Sequence, residues 1–78
     1  MSTRKQNEKK FGCWEELPDG GRRYSRSVPG RLGWNAVYVK EVDGLEQIVF
    51  FRQEIYNENG VLVEIHKKYP EDTGHHKV

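Results

Sequence analysis

The fold is decided by residues 34–69, which read WNAVYVKEVDGLEQIVFFRQEIYNENGVLVEIHKKY. Val, Ile, Phe and Tyr dominate three runs in this stretch, and these residue types favour β-strands. The dipeptides Asp43-Gly44 and Asn59-Gly60 separate the runs and are common turns between antiparallel strands. Further out, Pro18-Asp19-Gly20-Gly21 and Pro29-Gly30 are also turn signals. Together they predict five strands, at about Cys13–Leu17, Arg22–Val28, Trp34–Val42, Leu45–Tyr56 and Val61–Tyr69.

Length and composition support an all-β chain with one domain. The 78 residues include eleven Val and Ile and nine aromatic residues, against four Leu and a single Ala. Because the predicted connections are short, consecutive strands should pair antiparallel. We therefore expect a four- to five-stranded antiparallel meander in residues 11–78, either a curled sheet or a small barrel. Residues 1–10 carry no apolar side chain after Met1, so we expect a disordered polar tail there.

Turn lengths predict the register of the last three strands. A two-residue Asp43-Gly44 loop places Val42 opposite Leu45. A three-residue loop that ends at Gly60, with Gly60 in the left-handed region, places Ile55 opposite Val63. This register predicts one apolar core face, formed by Trp34, Ala36, Tyr38, Val42, Leu45, Val49, Phe51, Ile55, Val63, Ile65 and Tyr69.

A second apolar patch is predicted on the other face of the sheet. It consists of Val37, Val39, Ile48 and Phe50. A chain of 78 residues has a small core, and its one cysteine cannot form an internal disulfide. An uncovered patch on such a domain indicates a homodimer or another protein partner. Alternatively, the first two strands close over the patch to complete a barrel.

A basic segment precedes the central strands. Residues 22–31, RRYSRSVPGR, contain four Arg and no acidic residue. Arg binds phosphate and stacks on bases, and nearby aromatic rings offer further stacking surface. The segment is therefore a candidate for single-stranded RNA or DNA binding, through Arg22, Arg23, Tyr24, Arg26, Arg31 and Trp34. The alternatives are an edge strand protected from aggregation by its charge and a docking surface for the acidic residues 41–58 of a second copy.

A polar cluster on the last predicted hairpin raises an enzymatic alternative. The predicted register places Arg52 opposite His66 and Glu54 opposite Glu64. Two carboxylates, an imidazole and a guanidinium can cleave RNA by general acid–base catalysis without a metal. In such a ribonuclease His66 and either Glu would transfer protons, and Arg52 would hold the phosphate. The same residue types are also typical of a solvated sheet face, and we expect that role.

Metal, cofactor and membrane functions have little support in the sequence. His75 and His76 are adjacent near the C-terminus, and no CxxC or HExxH spacing occurs, so we expect no metal and no cofactor. The net charge of +1 gives no bulk attraction to nucleic acid or membranes. No apolar run approaches the ~20 residues of a membrane span, and no apolar signal region begins the chain. We expect a soluble, cytoplasmic protein.

Several segments resemble a family of small uncharacterised prokaryotic proteins. The similarity lies in residues 33–43, GWNAVYVKEVD, and 53–66, QEIYNENGVLVEIH, and extends to residues 19–24 and 68–75. The resemblance implies a β-meander without an assigned activity, so no functional residues carry over. The sequence therefore predicts a small non-enzymatic binding module that self-associates or captures a protein partner. Nucleic-acid binding and ribonuclease activity are the two alternatives.

Overall fold

One helix packs on an antiparallel sheet in the computed structural model, which describes residues 4–71 and 74–77. The helix, α1, spans Arg4–Phe11. The strands are β1 (Cys13–Glu16), β2 (Arg22–Pro29), β3 (Asn35–Val42), β4 (Ile48–Tyr56), β5 (Leu62–Tyr69) and β6 (Gly74–Lys77). Their order in the sheet is β1-β2-β3-β4-β5-β6, which confirms the meander and adds a sixth strand. Within the described residues β1 and β6 are the two edges, so the sheet is open and not a closed barrel.

Three hairpins share one turn geometry. The amide of the residue before each loop donates to the carbonyl four residues later, from Leu17 to Gly21, Asp43 to Gln47 and Asn57 to Val61, each at 2.9 Å. The last loop residue has a positive φ in each case: 88° at Gly20, 64° at Glu46 and 77° at Gly60. The predicted left-handed conformation of Gly60 is thus confirmed. Glycine takes this conformation without steric cost, whereas Glu46 does not.

The register of β3 and β4 differs from the prediction. Because the loop comprises residues 44–46, Val42 pairs with Ile48 instead of Leu45. A bulge next to Glu41 shifts the pairing further along the strands. Leu45 and Val49 were predicted in the core but are 76% and 48% exposed. Leu45 lies in the three-residue loop that ends at Glu46, a left-handed position where the sequence pattern favours glycine. Val49 lies at the bulge, where the pairing passes from Ile48 to Phe50.

The predicted register of β4 and β5 is correct at the turn and wrong beyond it. Tyr56 pairs with Leu62, as the three-residue loop requires. A bulge between Ile55 and Tyr56 then makes Ile55 pair with Glu64 instead of Val63. A shift of one residue exchanges the two faces of a strand. Ile65, predicted on the core face, consequently lies opposite Glu54 on the other side of the sheet.

Residues 4–10, predicted as part of a disordered tail, belong to α1. The buried cluster beneath this helix contains Phe11, Tyr24 and Val42, with Tyr38 and Phe51 packed against it. We call the sheet side that carries this cluster the helix face, and the other side the open face. Polar contacts and one Phe hold α1, so the sequence shows no apolar stripe to reveal it. Residues 1–3 lie outside the described part of the chain.

Candidate functional site

The helix covers only one end of the helix face, and an apolar cleft lies at the other end. Ala36 of β3 and its partner Ile55 of β4 form the floor of the cleft. The connection from β2 to β3 forms its wall. The cleft has a volume of about 380 Å³ and is lined by Gly30, Arg31, Leu32, Trp34, Asn35, Ala36 and Ile55.

Leu32 projects beside this cleft. It lies in a short 3-10 turn, Arg31–Gly33, with φ of 56° and ψ of 33°. Its residue surface is 90% exposed, more than that of any other large apolar residue among those described. A left-handed conformation costs a non-glycine residue about 1–2 kcal/mol. Leu32 thus combines backbone strain with full exposure, so core packing does not explain why an apolar residue stands here.

Hydrogen bonds fix the wall of the cleft. The Gly30 amide donates to the Trp34 carbonyl at 2.7 Å, and the Trp34 amide donates to the Arg31 carbonyl at 2.9 Å. The indole Nε1 of Trp34 donates to Glu58 Oε2 at 2.5 Å. The ring and the turn are therefore anchored to each other and to the β4–β5 loop, and the cleft is preformed.

The rim of the cleft carries charges of both signs. Arg31 lines the cavity, and Glu58 sits at the indole edge of Trp34. On the neighbouring strand the Arg26 guanidinium lies 5.4 Å from the centroid of the Tyr38 ring. The apolar hollow thus has one cation in its lining, and an anion accepts a hydrogen bond from the edge of its Trp34 ring.

A buried polar network fills the opposite, helix-covered end. Glu46 is its centre: Tyr24 Oη donates to Oε2 at 2.6 Å and Asn7 Nδ2 to the same oxygen at 2.9 Å. Arg4 Nε donates to Oε1 at 3.0 Å. Lys40 Nζ in turn donates to Asn7 Oδ1 at 2.8 Å. The network ties α1 to the sheet and to the turn that Glu46 distorts, so its role is structural.

The network shifts the protonation equilibria of its members. Burial by itself raises the pKa of Glu46, but the hydrogen bonds from Tyr24, Asn7 and Arg4 outweigh it and hold that pKa below its ordinary value. Burial raises the pKa of Tyr24, and the bond to Glu46 adds to the rise. Burial lowers the pKa of Lys40, and the positive charge of Lys10 adds to that effect. Near neutral pH the cluster therefore contains an ionised carboxylate that accepts from a neutral phenol.

The candidate nucleic-acid residues do not form one surface. Arg22 binds Glu8 at 2.5 Å and Glu16 at 2.7 Å, and the Glu8 bond raises the pKa of Arg22. Arg23 lies on the open face, where it binds Glu41 at 3.0 Å. Tyr24 is wholly buried, which removes it as a stacking surface. Arg26 covers Tyr38, and Arg31 and Trp34 belong to the cleft.

The candidate ribonuclease residues divide between the two faces. Glu54 pairs with Ile65, whereas Glu64 pairs with Ile55, so the two carboxylates point to opposite sides of the sheet. The predicted pairs of Arg52 with His66 and of Glu54 with Glu64 are therefore wrong. The reason is the bulge between Ile55 and Tyr56.

Each half of that predicted cluster has other partners. On the open face Arg52 Nε donates to Glu54 Oε2 at 2.8 Å, and Tyr56 Oη donates to Glu54 Oε1 at 2.9 Å. The Glu54 bond, with burial adding to it, raises the pKa of Tyr56. On the helix face the His66 ring lies 4.4 Å from the ring of His75, whose Nδ1 is 3.3 Å from Glu64 Oε1.

The predicted interface patch is also divided. The register places Val37, Val39 and Phe50 on the open face, but Ile48 pairs with Val42 on the helix face. Val39 is only 6% exposed, and the Arg52 guanidinium lies 4.8 Å from the centroid of the Phe50 ring. The chain itself thus covers much of this patch, which leaves the cleft beside Leu32 as the more accessible apolar surface.

The described residues form neither a metal centre nor a membrane-spanning helix. Among residues 4–71 and 74–77 no group of three or more His, Cys, Asp or Glu side chains is arranged to hold a metal ion. None of the helical structure in those ranges is long and apolar enough to cross a membrane. Comparison with protein-family models, with curated proteins and with solved structures finds no match to this chain.

Sequence reasoning missed the importance of Leu32. The segment Pro29-Gly30-Arg31-Leu32-Gly33 was interpreted by its charge and its turn signal. One signal was present: a Leu placed between two glycines of a turn has no strand or helix periodicity that would bury it. Ile55 was predicted as a core residue and instead forms part of the cleft floor.

Proposed function

We propose that this chain is a small non-enzymatic protein-binding module that self-associates through the cleft beside Leu32. The observation that carries the proposal is an apolar hollow of about 380 Å³ beside a 90% exposed Leu. A twofold dimer brings the same patch of both copies together, so such a patch must be self-complementary. A projecting side chain next to a hollow meets that requirement, because each Leu32 can pack into the cleft of the other copy.

The charges near the rim of the cleft also support a second copy of the chain as the binding partner. Arg31 and Glu58 border the cleft, and an antiparallel approach of two copies can place each cation near the other copy's anion. Complementary charges at an interface rim favour encounter and fix orientation. A partner of strongly acidic or strongly basic character would leave one of these rim charges unmatched.

The small core gives a physical reason for association. Among the described residues the hydrophobic side chains that are buried are Phe11, Tyr24, Val39 and Val42. Apolar burial stabilises by roughly 25 cal/mol per Å², and few such groups stabilise this fold internally. Burial of Leu32 and the cleft in a dimer adds apolar area that the monomer cannot bury by itself.

The test is sedimentation equilibrium of the wild type and of Leu32→Asn from micromolar to millimolar concentration. We expect the wild type to reach the mass of a dimer and Leu32→Asn to stay monomeric. Asn tolerates the left-handed region better than Leu. The variant should therefore keep an unchanged or slightly higher free energy of unfolding when measured in dilute solution, which separates lost binding from lost folding.

Leu45→Asn is the matched control, because Leu45 is 76% exposed but lies in the β3–β4 loop, outside the cleft. It should dimerise like the wild type. A wild type that is monomeric at every concentration contradicts the proposal, as does a Leu32→Asn variant with the mass of the wild type.

A further inference from the structure

A pair of like charges lies on the open face, on the other side of the sheet from the cleft floor. Arg52 of β4 is the cross-strand partner of Lys67 of β5. Like charges directly opposite each other destabilise an antiparallel sheet. Glu54 accepts a bond from Arg52 Nε at 2.8 Å and offsets one of the two charges. A like-charge pair at this position, beside the irregularity between Phe51 and Arg52, favours an anionic ligand that both cations can share.

Two adjoining hollows lie beside this pair, and Lys67 lines both of them. The inner one has a volume of about 270 Å³ and is lined by Phe50, Phe51, Arg52, Lys67, Tyr69 and Pro70. The outer one has a volume of about 500 Å³ and is lined by Lys67, Tyr69, Pro70 and Glu71. Lys67, Tyr69 and Pro70 border both, so a ligand can extend from one hollow into the other.

Two aromatic rings, those of Phe50 and Tyr69, also lie beside these cations. The guanidinium of Arg52 lies 4.8 Å from the centroid of the Phe50 ring, a contact that orients its planar fork. Tyr69 is 45% exposed and stands next to Lys67 in both hollows. A guanidinium and an ammonium bind phosphate, and an exposed ring provides a stacking surface for a base.

We propose that Arg52, Lys67 and Tyr69 form a binding site for a nucleotide unit, with the phosphate between the two cations and the base on the Tyr69 ring. Free nucleotides and single-stranded RNA or DNA present the same unit. Glu71 lines the outer hollow, where its negative charge opposes the phosphate and lowers the affinity. The site uses none of the cleft residues, so it does not depend on the proposed dimer.

The experiment is a calorimetric titration of the full chain with AMP, adenosine, inorganic phosphate and a short oligoadenylate. We expect AMP or the oligonucleotide to bind, with an affinity that falls as salt rises. Binding of AMP alone assigns the site to free nucleotides, and binding of the oligonucleotide alone assigns it to single strands. Adenosine and inorganic phosphate, which each lack half of the unit, should bind at least about tenfold more weakly.

Four variants test the assignment to residues. Lys67→Gln should weaken nucleotide binding about tenfold or more, because it removes a charge-assisted contact. Tyr69→Leu should weaken nucleotide binding about tenfold without changing the affinity for inorganic phosphate. Glu71→Gln should strengthen binding. Lys5→Gln, which removes an exposed cation on α1, is the charge-matched control and should bind like the wild type.

Two results overturn the proposal. The first is the absence of binding by both AMP and the oligonucleotide at millimolar concentration. The second is an equal loss of affinity in Lys5→Gln and Lys67→Gln, which would show that overall charge and not this site attracts the ligand. Circular dichroism of each variant confirms that the sheet is retained.

Discussion

Tyr24→Phe tests the network that holds α1 on the sheet. The substitution removes one atom, the hydroxyl oxygen that lies 2.6 Å from Glu46 Oε2. Tyr24 is fully buried, so water cannot replace the lost donor without rearrangement. The Glu46 carboxylate keeps Asn7 and Arg4 as donors. The main effect should therefore be the loss of one buried hydrogen bond to a charged group, to which the lost contact of the hydroxyl with Arg22 adds.

The size of that loss follows from the charge on the acceptor. Hydrogen bonds to charged groups contribute about 1.5–3 kcal/mol, so we expect the free energy of unfolding to fall by about 2 kcal/mol. A chain of 78 residues has a total of roughly 4–12 kcal/mol at ~0.05–0.15 kcal/mol per residue. The loss is thus a large fraction of the stability, and urea denaturation at neutral pH measures it directly.

The same variant changes the acid stability in a defined direction. The pKa of Glu46 is lower in the folded chain than in the unfolded chain. Its ionised form therefore stabilises the fold above the unfolded pKa, and this contribution is lost as pH falls through the folded pKa. Tyr24→Phe removes a donor that lowers the folded pKa, so acid unfolding should move to higher pH.

Tyr56→Phe is the matched control. Its hydroxyl also donates to a glutamate, Glu54, but the residue is only partly buried and lies on the open face. A more exposed donor can be replaced by water, so the loss should be smaller, about 0.5–1 kcal/mol. If Tyr24→Phe costs no more than Tyr56→Phe and leaves the acid transition in place, the network does not hold the helix as described.

Two further predictions concern the last hairpin. Gly60→Val should lower the free energy of unfolding by more than about 1 kcal/mol in urea titration, because a β-branched residue is strained at φ of 77° although no atom within 4 Å would touch the added Cβ; an unchanged midpoint would contradict the turn assignment. The purified chain should not cleave single-stranded RNA in a gel assay, since Glu54 lies on the sheet face opposite Glu64 and His66. Cleavage that disappears in a folded His66→Ala variant would reverse that conclusion.

Strand positions and order were predictable from the sequence because turn residues and β-branched runs are local signals. The hairpin after Tyr56 is an example in which local signals predict the turn itself. Asn57, Asn59 and Gly60 form the turn that their residue types favour, with Asn57 Oδ1 accepting from the Asn59 amide at 2.9 Å. The sixth strand was missed because Gly74–Lys77 is short and has no apolar alternation.

Register could not be predicted because it depends on residues that override local preference. Glu46 takes a left-handed conformation in a loop where Asp43-Gly44 is the stronger turn signal. Its buried bonds to Tyr24 and Asn7 come from elements distant in sequence and hold it there. The β4–β5 bulge has a similar consequence, since one extra residue exchanges the faces of β5.

The candidate binding surfaces differ from the predicted ones for the same reason: they depend on contacts between residues that are distant in sequence. Glutamates of α1 and of neighbouring strands pair with Arg22 and Arg23, which the sequence shows only as positive charges. Two cations brought together, Arg52 and Lys67, are fifteen residues apart in sequence and become neighbours only in the final register. The role of Leu32 could not be predicted, because only the structure shows that the helix leaves the end of the sheet near Leu32 uncovered.

Self-association through the cleft is tested most directly by a dilution series of amide correlation spectra. Between millimolar and micromolar concentration, the amide signals of Leu32, Trp34 and Ile55 should shift together as the cleft becomes exposed to solvent. Those of Leu45 and Lys5 should stay in place, because both residues lie away from the cleft. Spectra that do not change with concentration, or shifts centred on Val37 and Val39 of the open face, would contradict the proposed interface.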